Sequence, residues 1–214
     1  FTFWIAGSLL QISLTLLILT RLVWHHQFKI EQFNPAWFIP IVGNIVVPIG
    51  GTLLNVPAEI NGLFFGIGIL FSVIYLSLFF YRAVFYAPLP DMLLPTYFIL
   101  MAPPAIGFVS YVNITGRVDT FANLLYGIAF FIGLFLLFQG SRWIRIPFFV
   151  PWWAFLFPSA AMTIATFRMY IESGNVVLEW LFIVQLIGLI GLAVYLVWKT
   201  IQLALRGKLC VKEG

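Results

Sequence analysis

Charge is scarce in this chain. Only 8% of its 214 residues are Asp, Glu, Lys or Arg, and 63% are hydrophobic, whereas a soluble domain carries about 25% charged residues. A surface of that make-up cannot be clothed for water. Cysteine is scarcer still. Cys210 stands alone in the C-terminal tail, which excludes a disulfide within the chain and, with only His25 and His26 beside it, a Cys/His metal set. No metal and no cofactor are expected. Ionisable residues are missing from the middle of every apolar run. That excludes a proton pump built on membrane-buried acids, a retinal-type Schiff base and an intramembrane aspartyl protease. No nucleophile–base pair falls in a run either, so an enzyme is not expected. A basic leader is also lacking: Phe1 opens directly inside an apolar stretch, which reads as the start of a fragment.

What the chain does have is long, uncharged, apolar runs. Residues 1–20, 35–58, 60–81, 92–116, 120–141, 146–167 and 180–198 contain no charged residue, and about 20 residues of helix cross a bilayer. The short alternating segments of a β-barrel do not occur. The expectation is an all-α, multi-pass membrane protein. Its seven spans fall at about 3–23, 35–55, 60–82, 93–114, 119–139, 150–171 and 178–203. Residues 1–206 then form one transmembrane pore domain, and 207–214 a short tail.

The loops between these spans alternate between two sides. Arg21, Lys29, Arg82, Arg142, Arg145, Lys199, Arg206, Lys208 and Lys212 fall on one side, and only Arg117 and Arg168 on the other. By the positive-inside rule the first side and the C-terminus are cytoplasmic, with a bacterial inner membrane as the expected location. The basic residues are scattered over short loops rather than gathered in a patch, so nucleic acid is not a partner. Arg117 and Arg168 sit at the outer mouth, where drawing anions inward and snorkelling to the interface are equal readings. His25 and His26 are adjacent, which makes them a poor metal pair and leaves them as interfacial residues. Asn113-Ile-Thr115 has the glycosylation pattern, but so close to the membrane that chance explains it.

Proline is unevenly distributed. All twelve prolines fall within 35–57, 88–104 or 147–158, in or beside the second, fourth and sixth spans. A proline frees a backbone carbonyl, and lipid offers that carbonyl no partner. The proline-bearing spans are therefore expected to face protein or a water-filled path, and the proline-free spans to face lipid. The architecture that follows is a set of hairpins, each pairing a kinked inner helix with a straight outer one around a central pore. Small polar residues accompany the prolines, and Asn44, Thr52, Ser110, Ser159 and Thr163 are the pore-lining candidates. A path of kinked backbone, hydroxyls and rings without carboxylates suits a small anion better than a cation. Phe157, just before Pro158, is either a ring in helix–helix packing, the reading its residue type favours, or a plug at the narrowest level.

Three stretches carry a resemblance: "FNPAWFIPIVGNIVVPIGG" (33–51), "LMAPPAIGFVSY" (100–111) and "WWAFLFPSAAMTIAT" (152–166). They resemble the tellurite-resistance/dicarboxylate transporter family, which includes bacterial TehA, plant slow-type anion channels and fungal malate and sulfite transporters. The resemblance implies ten spans in five hairpins about a quasi-fivefold axis, of which these are the fourth to tenth, assembled as a homotrimer. It implies kinks at Pro48, Pro103, Pro104 and Pro158, and a phenylalanine gate that falls on Phe157. The function it implies is a channel-like permease for chloride, nitrate or similar anions. The alternative is a secondary transporter of malate or other dicarboxylates, sulfite or tellurite. A seven-helix receptor shares the topology but gives no reason for confining proline to alternate helices.

Overall fold

The computed structural model of the chain describes residues 1–24, 28–143 and 145–207. His25, His26 and residues 208–214, with Cys210, lie outside the described residues. The described residues form eight α-helices: α1 (Thr2–Trp24), α2 (Ile39–Leu53), α3 (Ala58–Phe85), α4 (Ala102–Thr115), α5 (Thr120–Phe138), the short α6 (Gly140–Trp143), α7 (Leu156–Ser173) and α8 (Val176–Leu205). Among the described residues seven helical units are long and apolar enough to cross a membrane: Thr2–Trp24, Pro35–Leu53, Ala58–Phe85, Asp91–Thr115, Thr120–Phe138, Val150–Ser173 and Val176–Leu205. The all-α membrane architecture read from composition is the one observed, with no strand among the described residues.

The three proline-bearing spans are compound. Each starts as a 3₁₀ helix, at Pro35–Phe38, Asp91–Met101 or Val150–Phe155, and continues as α2, α4 or α7. The prolines explain the junctions. Pro40 is at the second position of α2, Pro103 and Pro104 are at the second and third of α4, and Pro158 is at the third of α7. In a first turn the N–H has no intrahelical partner, so proline costs little there. It does prevent the α-pattern from extending backward, and the preceding residues wind in the tighter form. Pro103, Pro104 and Pro158, the expected kink positions, each lie just past a 3₁₀-to-α junction. Pro48 alone lies inside α2, where it leaves the Asn44 carbonyl without its usual donor.

Turns at one end of the bundle share a device. α4 ends on Gly116 (φ 69°) and α7 on Gly174 (φ 62°), while Asn55 (φ 54°) follows α2. These left-handed residues close the helices. After the two glycine turns, α5 and α8 start on side-chain caps: Asp119 accepts from the N–H groups of Phe121 and Ala122, and Asn175 from that of Val177.

The Asp91–Thr115 span is the centre of the packing. Within its most apolar window, 78% of residues are buried, against 6% for Val176–Leu205. It touches α2, α3, α5 and α7, whereas α8 packs on α7 and α1 on α2. Lipid is as apolar as leucine, so helices associate through close packing and interhelical hydrogen bonds. Gly68 lets α3 close on Ile45 of α2, and Gly43 admits the Gln11 side chain. Trp4 Nε1 donates to the Val47 carbonyl at 3.0 Å, and Gln11 Nε2 donates to that of Pro40 at 2.6 Å. The proline-free α1 therefore does not meet only lipid, because its polar face is spent on α2.

Candidate functional site

Phe3, Trp4, Gly7, Ser8 and Gln11 of α1 face a cleft of about 930 Å³, together with one face of α2 from Ile39 to Gly50. The opposite walls come from the other two compound spans. They contribute Leu93, Thr96, Ile99 and Ala102 on one, and Pro151, Trp153, Ala154, Phe157 and Pro158 on the other. All three proline-bearing spans thus meet at one cavity.

The 3₁₀ winding decides which side chains arrive there. With three residues per turn, side chains three apart eclipse one another. Leu93, Thr96, Ile99 and Ala102 form one straight stripe on the cleft, as do Pro151, Ala154 and Phe157. An α-helix would spiral such a set away from the wall.

Among the described residues no charged side chain lines the cleft. The polar lining groups are mostly engaged already. Gln11 Nε2 donates to Pro40 and, at 3.3 Å, to Thr15 Oγ1; Thr96 Oγ1 donates to the Leu93 carbonyl at 2.6 Å. Trp153 Nε1 donates to Thr200 Oγ1 at 3.0 Å, which ties α8 to the wall. The Phe157 ring is 49% exposed, in the first turn of α7 and beside Pro158.

The structure separates the residues expected at the pore. Phe157 and Pro158 line the cleft. Pro103 and Pro104 instead border a small apolar void of about 80 Å³ with Phe38, Ile69 and Leu125. Pro48 is buried within α2. None of the five polar candidates lines this cleft. Asn44 is fully buried in the α1–α2 seam, where Nδ2 donates to Thr15 Oγ1 at 2.9 Å and to the Pro40 carbonyl at 3.1 Å. Thr52 Oγ1 donates to the Pro48 carbonyl, and Thr163 Oγ1 to that of Ser159. Ser110 is fully buried in α4 with no hydrogen-bond partner. The physical reason is common to the threonines: in an apolar helix a hydroxyl is satisfied most cheaply by the carbonyl a turn before it.

Trp4, Ser8, Gln11, Thr96 and Trp153 are polar lining groups outside the five candidates. The three-residue spacing of Leu93, Thr96 and Ile99, just before Ala-Pro-Pro, was the available signal. Of the two basic residues expected at the outer mouth, Arg117 lies 3.6 Å from Asp119 and Arg168 lies 3.2 Å from Glu172. Each is partnered locally, which weakens its pull on an approaching anion. The Tyr111 hydroxyl donates to Asp119 at 2.7 Å, and with the cap N–H groups it holds that carboxyl below its ordinary pKa.

A family model described as "SLAC1: Voltage-dependent anion channel" matches residues 1–201. The chain is 25% identical over 200 residues to the "Uncharacterized transporter MJ0762" of Methanocaldococcus jannaschii, which covers 84% of this chain and 58% of that protein. It is 25% identical over 214 residues to "Uncharacterized transporter MJ0576" of the same organism, covering 90% of this chain and 59% of that one. It is 27% identical over 135 residues to the "S-type anion channel SLAH3" of Arabidopsis thaliana, covering 63% and 21%. The chain therefore spans about three-fifths of the length of the two archaeal relatives. These family members are channels and transporters, not enzymes. With a family model covering it almost from end to end, this chain belongs to the SLAC1 family of voltage-dependent anion channels.

Proposed function

We propose that the whole protein is a channel-like permease for small anions such as chloride or nitrate, and that the Phe157 ring closes its pathway. The observation that carries this reading is the half-exposed Phe157 ring on an uncharged cleft where all three compound spans meet. Ordered polar walls would bind an anion and hold it. Apolar walls with a few amide and hydroxyl groups let it pass once the ring moves, since conduction needs weak sites. The name of SLAH3, an S-type anion channel, supports an anion as cargo.

Two relatives are named transporters, which supports a second reading: proton-coupled movement of malate, another dicarboxylate, sulfite or tellurite. Among the described residues no carboxylate lines the cleft, and this favours uncoupled conduction. The rest of the proposal follows the expected architecture: ten spans, a homotrimer, and the end bearing Arg21, Lys29, Arg82, Arg142, Arg145, Lys199 and Arg206 in the cytoplasm of a bacterial inner-membrane protein. The test is flux of chloride and nitrate through the intact protein in liposomes, with and without a pH gradient. A channel gives flux that follows the anion gradient alone. Flux that requires the pH gradient supports the transporter.

A further inference from the structure

Arg82 lies in the last turn of α3, at the end of the bundle that also carries Arg21, Arg142 and Arg206. It is only 3% exposed, and its Nε and Nη1 have no hydrogen-bond partner among the described residues. Among the described residues it also has no carboxylate within ion-pair distance, since the ion pairs there are Arg117–Asp119 and Arg168–Glu172. A buried guanidinium left this way is strongly unfavourable, because its lost hydration is not replaced. Tyr97 lies between the two segments that carry Arg82 and Arg142, α3 and the short α6. Rings hold Tyr97 in place: Phe79, one turn before Arg82, at 5.3 Å and Trp143 at 6.1 Å, both edge-on. Tyr97 is not among the cleft-lining residues, whereas Thr96 beside it is. This cluster therefore sits behind the wall of the cleft, not in it.

We propose that Arg82, Arg142 and Tyr97 form an accessory site for a phosphate group, separate from the cleft. Two guanidinium forks and a hydroxyl match an oxyanion with several acceptor oxygens, a match that a halide lacks. The last turn of a spanning helix also lies at the depth of lipid phosphates. The group is either a lipid headgroup or free phosphate. The site stands whether or not Phe157 gates current.

Thermal unfolding of the intact protein in lipid-free detergent tests it in two arms. One arm titrates inorganic phosphate against sodium chloride of equal ionic strength. The other adds phosphatidylglycerol or phosphate-free digalactosyl diacylglycerol. The expected result is a saturable rise of about 3 °C at tenfold excess over the dissociation constant, from mass action and the size scaling of unfolding entropy. Arg82→Gln should abolish the rise, and Tyr97→Phe and Arg142→Gln should each reduce it. A rise with inorganic phosphate assigns the free ion; a rise with phosphatidylglycerol alone assigns the headgroup. No rise in either arm, as when a carboxylate elsewhere in the whole protein pairs with Arg82, overturns the site. So does a rise that Arg82→Gln leaves unchanged. If Arg82→Gln does not fold, a full rise in both Tyr97→Phe and Arg142→Gln is the contrary result.

Discussion

Asn44 on α2 reaches across to Thr15 on α1, Nδ2 to Oγ1 at 2.9 Å, with both side chains buried. Residue type alone had placed Asn44 on the conduction path. The bond makes it a clasp between two helices. Asn44→Ala should therefore lower stability by about 1 kcal/mol, within the range measured for hydrogen bonds between membrane helices. Selectivity among anions should be unchanged. Thermal unfolding and reversal potentials measured on the same variant separate a clasp from a lining residue.

The stripe on the Asp91–Met101 segment predicts a period of three. In a Cys210→Ser background, Leu93→Cys, Thr96→Cys and Ile99→Cys should react with a water-soluble thiol reagent once Phe157→Ala has opened the path. Phe98→Cys should react at least about tenfold more slowly, because Phe98 does not line the cleft and packs instead against Trp143 and Phe155. Labelling that follows an α-helical period would show that the segment winds differently in the membrane.

Pro158 sits in the first turn of α7, where it has no hydrogen bond to forfeit. Pro158→Ala should fold normally, with stability within about 0.5 kcal/mol of wild type. The new N–H can bond to the Ala154 carbonyl and draw the 3₁₀ segment into the α-helix. That turns Phe157 on its axis, so the expected effect is on current rather than on folding. Melting curves and conductance read the two separately.

Gly116 and Gly174 have φ of 69° and 62°, a region that costs a residue with a Cβ about 1 kcal/mol. Gly116→Ala and Gly174→Ala should each destabilise by that amount in chemical denaturation, while conduction is retained.

Asp119 gives the pH dependence of the same turn. Its carboxyl is depressed first by the Tyr111 hydroxyl and then by the cap N–H groups. A depressed folded-state pKa stabilises above the ordinary carboxylate pKa of about 4, and that contribution disappears as pH falls through the lower folded value. The thermal midpoint should fall over that acid range, and Asp119→Asn should flatten the fall.

The seven spans were legible because charge-free length is a direct consequence of the bilayer. The confinement of proline to alternate spans likewise marked the segments that meet at the cleft. The lining polar residues were not legible, and α1 shows why. Its Gln11 lies in a proline-free span, and only the docking of that span on α2 brings the amide to the cavity. Thr163, by contrast, had the right residue type on the right span, but its hydroxyl bonds the carbonyl one turn back. Phe157 could be singled out among 24 phenylalanines only through the resemblance, because the neighbouring Phe155, at 6% exposure, is core. Which of two rings faces a cavity depends on winding that a pattern of apolar residues does not specify.

The most direct measurement is anion current through the intact protein in a planar bilayer, wild type against Phe157→Ala. A gate at Phe157 predicts a rise of about tenfold, the change that lowering a barrier by about 1.4 kcal/mol produces, with the protein still folded. Current equal to wild type in a folded Phe157→Ala protein would contradict it.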